Sequence, residues 1–248
     1  MAQLNAPLRV DAMPELKVYP TESAQAQAAA ELFLSWGRDA IAARGRFRVA
    51  LSGGRGPRGL FQALAQRPQA LDWGKVELYW VDERWVDWGS PESNYGEARR
   101  LWLAALEPGP RCFPLFDASL EPEAAALAYE KLLTENFAAA LPVFDLMLLG
   151  MGPDGHTASL FPGQASLDET RRLCLAVRHP ASGQERLTLT LPVLNASRRC
   201  VFLLSGAEKA ALMAQVLAGR AQVPAARVRP PQGELLWLSD AAAAAQVA

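Results

Sequence analysis

The sequence predicts an α/β fold: an open, mostly parallel sheet covered by helices on both faces. Three observations lead there. Short apolar runs alternate with longer helical segments along the chain. The runs are continuously apolar, as strands buried on both faces must be. Four of them end directly in polar or glycine-rich turns, and ligands bind at such strand ends in parallel sheets.

The elements follow in order. LKVY (16–19) reads as a weak first strand. An Ala-rich helix from about Ser23 to Ala43 follows, with Leu32, Phe33 and Trp36 as core candidates. FRVAL (47–51) is a strand that breaks at Gly53-Gly54. Pro57 suits the first turn of the next helix, where its missing N–H is not needed, and RGLFQALAQ continues it. VELYWV (76–81) is a strand ending in Asp82-Glu83-Arg84. Residues 93–106 and 121–140 read as helices and FDLMLL (144–149) as a strand. RLCLAV (172–177), RLTLTL (186–191), CVFLL (200–204) and LLWL (235–238) complete the strands. A helix over 207–219 precedes the last of these, and Ala241–Ala245 reads as a short terminal helix. No fixed-period repeat and no linker interrupts the pattern, so residues 1–248 are expected to form a single domain.

Composition excludes several function classes. Lys plus Arg (25) nearly balances Asp plus Glu (26), against the basic excess of a broad nucleic-acid surface. MAQLNAPLRVDAMPEL has no apolar core of a leader, and no run of about 18 apolar residues occurs, so neither a signal peptide nor a membrane span is expected. Cys112, Cys174 and Cys200 are far apart and form no CxxC pair. Free thiols in a reducing, cytoplasmic setting are expected. With two histidines and three scattered cysteines, no metal site is expected.

The four turns are SGGRGP (52–57), DER (82–84), GMGPDGH (150–156) and SGAEK (205–209). If their strands are parallel neighbours, all four meet on one edge. GxGxxG matches twice, at Gly54-Gly56-Gly59 and Gly150-Gly152-Gly155, and this repetition weakens a dinucleotide reading. No GK[ST] closes either loop, and no GxSxG elbow occurs. SGGRGP reads equally as a tight strand–helix turn or as an anion cradle of backbone N–H groups, with Ser52 and Arg55 adding a hydroxyl and a charge. Arg84 and Lys209 directly follow strand ends, where a phosphate ester would find a forked donor and a point charge. His156 stands in the densest glycine turn. A histidine's ordinary pKa of about 6.5 lets it accept a proton at neutral pH, and Asp154 can orient it. His179, before Pro180, reads as a loop residue.

These residues resemble a known family. SGGRGP, DERWV…SNY, GMGPDGHTASLFPG, RLTLTLPVLN and SGAEKA occur in the order and spacing of the 6-phosphogluconolactonases, and DGHTASLFPG is the most specific block. The resemblance implies a Rossmann-like, NagB-like sheet with a few extra antiparallel strands. It implies hydrolysis of 6-phosphoglucono-δ-lactone without a cofactor, with a small sugar-phosphate lactone as the partner. The sequence leaves the assembly open between a monomer and a weak dimer. The resemblance makes His156 the general base, with Asp154 beside it. It makes Ser52, Gly53, Gly54, Arg55, Asp82, Arg84, Gly152, Arg186 and Lys209 the substrate-binding set. Two departures from the family stand out: Gly56 replaces a frequent hydroxyl residue, and Asp87 and Ser90 replace a Pro and a His. The related glucosamine-6-phosphate deaminases carry a glutamate where this chain has Phe161, and Phe cannot assist ring opening. A non-catalytic sugar-phosphate sensor would need the anion loop but not the Asp154–His156 pair.

Overall fold

The structure, a computed structural model, describes residues 14–247. The stretch 1–13, most of the segment read above for a leader, lies outside these residues. Among the described residues ten strands form: β1 (Glu15–Tyr19), β2 (Phe47–Leu51), β3 (Val76–Trp80), β4 (Asp82–Arg84), β5 (Arg111–Phe113), β6 (Leu146–Leu149), β7 (Cys174–Arg178), β8 (Glu185–Leu189), β9 (Arg199–Leu204) and β10 (Glu234–Asp240). The helices are α1 (Glu22–Arg44), α2 (Arg55–Ala65), α3 (Asn94–Leu101), α4 (Pro122–Phe137), α5 (Leu191–Asn195) and α6 (Ala210–Leu217).

Seven strands build one sheet in the order β1-β10-β9-β6-β2-β3-β5, and every pairing in it is parallel. β3 and β6 are buried along their whole length, which explains their unbroken apolar runs. Successive side chains of β2 enter opposite layers. Phe47 packs edge-on against Phe33 of α1 at 5.2 Å, while Arg48 lies over the Phe137 ring of α4 at 4.2 Å. The weak first strand is an edge strand with Val18 exposed. Gln25 of α1, itself buried, donates to Leu204 O at 2.9 Å and Leu238 O at 2.6 Å, tying α1 to the ends of β9 and β10.

A second, antiparallel sheet of order β4-β8-β7 stands beside the first. The sequence reading made DER a turn; it is a short strand, because Asp82, Glu83 and Arg84 find ladder partners in Thr188, Leu187 and Arg186. Other boundaries shift for local reasons. RLTLTL stops pairing at Leu189, since Pro192 belongs to the first turn of α5. The helix expected over 93–106 ends at Leu101 and passes into a 3₁₀ turn at Leu103–Ala105. β5, a three-residue edge strand, carried no sequence signal. The terminal helix expected at Ala241–Ala245 is a series of turns, in which the Asp240 carboxylate takes Ala243 N at 2.8 Å.

At the amino-terminal edge of the sheet, buried Asp145 and Glu77 are neutralised by Arg44 and Arg48, both at 2.8 Å. Among the described residues no helix is long and apolar enough to cross a membrane.

Candidate functional site

β9, β6, β2 and β3 are consecutive neighbours in the sheet. The four turns therefore do meet on one edge, around a cavity of about 320 Å³. That is within the usual size of small-ligand pockets. Ser52, Gly53, Gly54, Arg55, Asp82, Arg84, Gly152, His156, Arg186 and Lys209 all line it. Asp154 joins through His156: its Oδ1 lies 2.5 Å from His156 Nδ1 and accepts His156 N at 3.1 Å. Burial works against the Asp154 charge, but the His156 N–H and imidazole outweigh it and hold the carboxyl below its ordinary value. With Nδ1 committed to a carboxylate, Nε2 is the ring nitrogen left for a ligand. The ring also packs on Phe161, centroids 4.9 Å apart.

This geometry needs Gly152. A Cβ there would stand 2.1 Å from His156 Cε1, so the imidazole lies where a side chain would be. Gly53 serves Asn94 in the same way: a Cβ would meet Asn94 Oδ1 at 1.9 Å. Asn94 cannot easily retreat, because its Nδ2 donates to Asp82 O at 2.9 Å and approaches Asp82 Oδ1 at 3.3 Å. Gly53→Ala is expected to cost about 1–3 kcal/mol through this overpacking and to raise KM. Thermal melts and initial rates check both, and a fully wild-type variant would show that the loop gives way.

The family departure at Gly56 has a local cause. A Cβ there would stand 2.6 Å from Leu203 O, so this backbone leaves no room for a hydroxyl side chain. Arg55 is engaged with Glu208 at 3.1 Å, both side chains largely exposed. Asp87 and Ser90 cap their own loop, accepting Gly89 N at 2.7 Å and Glu92 N at 3.2 Å.

Arg84 of β4 and Arg186 of β8 are direct cross-strand partners. Like charges in that position repel, an arrangement that an anion would relieve. Burial and then the Arg84 charge lower the Arg186 pKa, offset in part by Asp82. Burial also lowers Lys209, with Arg55 acting in the same direction and Glu208 against it. In both, burial is the dominant cause, and nearby carboxylates offset it only in part. Asp82 is nearly closed to solvent and accepts Ser159 Oγ at 2.8 Å, so it supports the site from within the fold.

Sequence reasoning missed Glu83, Asn94, Ser159 and Glu208. Glu83 is 1% exposed and accepts four donors: Arg84 N and Asn94 N at 2.8 Å, Tyr95 N at 2.9 Å and Ser93 Oγ at 3.0 Å. It fastens β4 to the start of α3. Ser93 itself caps α3 by accepting Gly96 N at 2.9 Å. An S-N-Y cap following D-E-R was the available signal, but the partner of a cap is not written in its spacing. His179 is a loop residue, as expected: its Nδ1 accepts Ser182 N at 3.1 Å and its ring meets Phe161 at 5.0 Å. Among the described residues no cluster of three His, Cys, Asp or Glu could hold a metal.

The model of the glucosamine-6-phosphate isomerases/6-phosphogluconolactonase family matches residues 20–237. A 6-phosphogluconolactonase of Synechocystis is 44% identical over 208 residues, covering 81% of this chain and 85% of that protein. One of Streptomyces coelicolor is 40% identical, covering 94% and 95%. The solved 6-phosphogluconolactonase of Trypanosoma brucei superposes with a TM-score of 0.82 at 26% identity, covering 95% of this chain and 99% of that one. A monomeric glucosamine-6-phosphate deaminase shares the fold, with a TM-score of 0.77 at 21% identity.

Proposed function

The chain belongs to the family of glucosamine-6-phosphate isomerases and 6-phosphogluconolactonases, and from that premise we propose that it hydrolyses 6-phosphoglucono-δ-lactone with His156 as general base. The observation that carries this reading is the carboxylate-anchored imidazole in the same cavity as a cross-strand arginine pair. The Asp154 carboxylate holds Nδ1–H, and Nε2 takes a proton from water. That water's oxygen attacks the lactone carbonyl carbon. The tetrahedral intermediate collapses, the ring C–O bond breaks, and the proton passes to the departing ring oxygen. A lactone is an activated ester, so no covalent nucleophile is needed.

Arg84, Arg186 and Lys209 supply charge for the phosphoryl group, and the glycine loop with Ser52 borders the same space. Ser52 Oγ donates to Leu148 O at 2.9 Å, so its hydroxyl is already committed to the fold. Phe161 weighs against the deaminase. It is buried against His156 and lies 5.7 Å from Arg186 Cζ, a wall where an acid would be required. Turnover separates the enzyme from a sensor.

The test is hydrolysis of freshly made lactone, coupled to 6-phosphogluconate dehydrogenase, with spontaneous hydrolysis subtracted. Wild type is expected to accelerate it clearly. Lys209→Ala and Arg84→Ala are each expected to raise KM by about ten-fold or more, the scale of one charged contact, with kcat little changed. Loss of kcat at constant KM in these variants would instead put the charges at the reacting bond.

A further inference from the structure

We propose that Gln184 is a positioning residue that aims Arg186, and with it the Arg84–Arg186 pair, at the phosphoryl group of the substrate; this rests on the lactonase reading above. Gln184 is the last residue before β8. Its Oε1 accepts both Arg186 Nε at 3.2 Å and Arg186 Nη2 at 3.1 Å. One edge of the guanidinium is thereby fixed. Nη1 is left toward the interior, 3.4 Å from Ser159 Oγ. The acceptor is an amide, so it orients the guanidinium without neutralising it. A carboxylate here would make a bidentate ion pair and spend the charge within the protein.

The other end of the same amide reaches Glu92, the residue that holds the second arginine. Gln184 Nε2 donates to Glu92 Oε2 at 3.2 Å, and the carbonyl of Glu92 accepts Arg84 Nη1 at 2.6 Å. Among the described residues Arg84 Nε is buried without a partner. The backbone of Gln184 is held by the hairpin turn. Its carbonyl accepts His179 N at 2.9 Å, and Gly183 N donates to His179 O at 2.9 Å. His179 packs on Phe161, the ring beneath Arg186. A single uncharged side chain thus links the supports of two like charges that face each other across a strand pair.

The test uses full-length wild type, Gln184→Glu and Gln184→Met. Initial rates are measured on the phosphorylated lactone and on unphosphorylated gluconolactone, with inorganic phosphate as inhibitor. Gln184→Glu is expected to raise KM for the phosphorylated lactone by about ten-fold, the effect of neutralising one charged contact. Phosphate inhibition should weaken in parallel, with kcat and the rate on gluconolactone unchanged. Gln184→Met, which keeps the charge but frees the guanidinium, should raise KM by less. Wild-type KM in both variants, even with a lowered Tm, would reduce Gln184 to a hairpin staple and overturn the inference. Equal losses on both lactones would overturn the phosphoryl assignment. An inactive wild type would overturn the lactonase reading itself, and this inference with it.

Discussion

Replacing His156 with alanine is expected to lower kcat on the phosphorylated lactone by about 10²–10⁴, the usual contribution of a positioned general base, while KM stays near wild type. The separation follows from where the charges stand. On the proposed function the binding charge comes from Arg84 of β4, Arg186 of β8 and Lys209 after β9, which line the cavity from elements other than the turn that carries the imidazole. His156 sits on the turn after β6, gripped by Asp154 at 2.5 Å and seated over Gly152, whose missing Cβ leaves room for the ring. Asp154 is held below the ordinary carboxylate range, so it remains the charged partner of the imidazole as pH falls toward that range. The check is a kcat and KM comparison with a Tm measured beside it. A kcat within about two-fold of wild type would remove His156 from the chemistry, far below the effect of a general base.

Glu83→Ala is expected to lower folding stability by about 3 kcal/mol, through three buried or half-buried N–H groups and one hydroxyl left without an acceptor. For a chain of this size that lowers Tm by roughly 6–12 °C. Burial pushes the Glu83 carboxyl upward, and the four donors pull it back. The group is therefore tolerated inside the protein only because its acceptor capacity is filled. The damage should reach the site as well. Asn94 and Arg84 both hang from this carboxylate, and both line the cavity. KM should rise along with the loss of stability. Glu83→Gln, which keeps the volume and one acceptor oxygen, should fall between wild type and alanine. Denaturant titration checks the order, and an alanine variant melting with wild type would mean that water fills the role of the carboxylate.

His156, Asp154, Ser52, Arg84 and Lys209 could be picked out because they stand directly after apolar runs, and a run followed by a polar or glycine-rich turn is a local pattern. Glu83 lies two residues past a predicted strand end and Asn94 at the start of a predicted helix, and both were still missed. Their importance is a contact between the strand end and the helix start, not a composition. Gln184 gave no signal at all. Its neighbours in sequence are an ordinary hairpin turn, and its partners Arg186 and Glu92 come together only when β8 pairs with β4.

Local sequence suffices for the alternation of strand and helix, the buried character of β2, β3, β6 and β9, and the turns that carry the charged and titratable groups. These follow from side-chain periodicity and from glycine and proline chemistry, which act over a few residues. Tertiary structure alone decided the strand order β9-β6-β2-β3 that makes four distant turns neighbours. It also decided the antiparallel pairing that sets Arg84 against Arg186, and the close approach of Asn94 to Gly53. Strand pairing joins backbone groups that are alike in every strand. Its choice is made by the packing of whole layers, which no short stretch of the chain encodes.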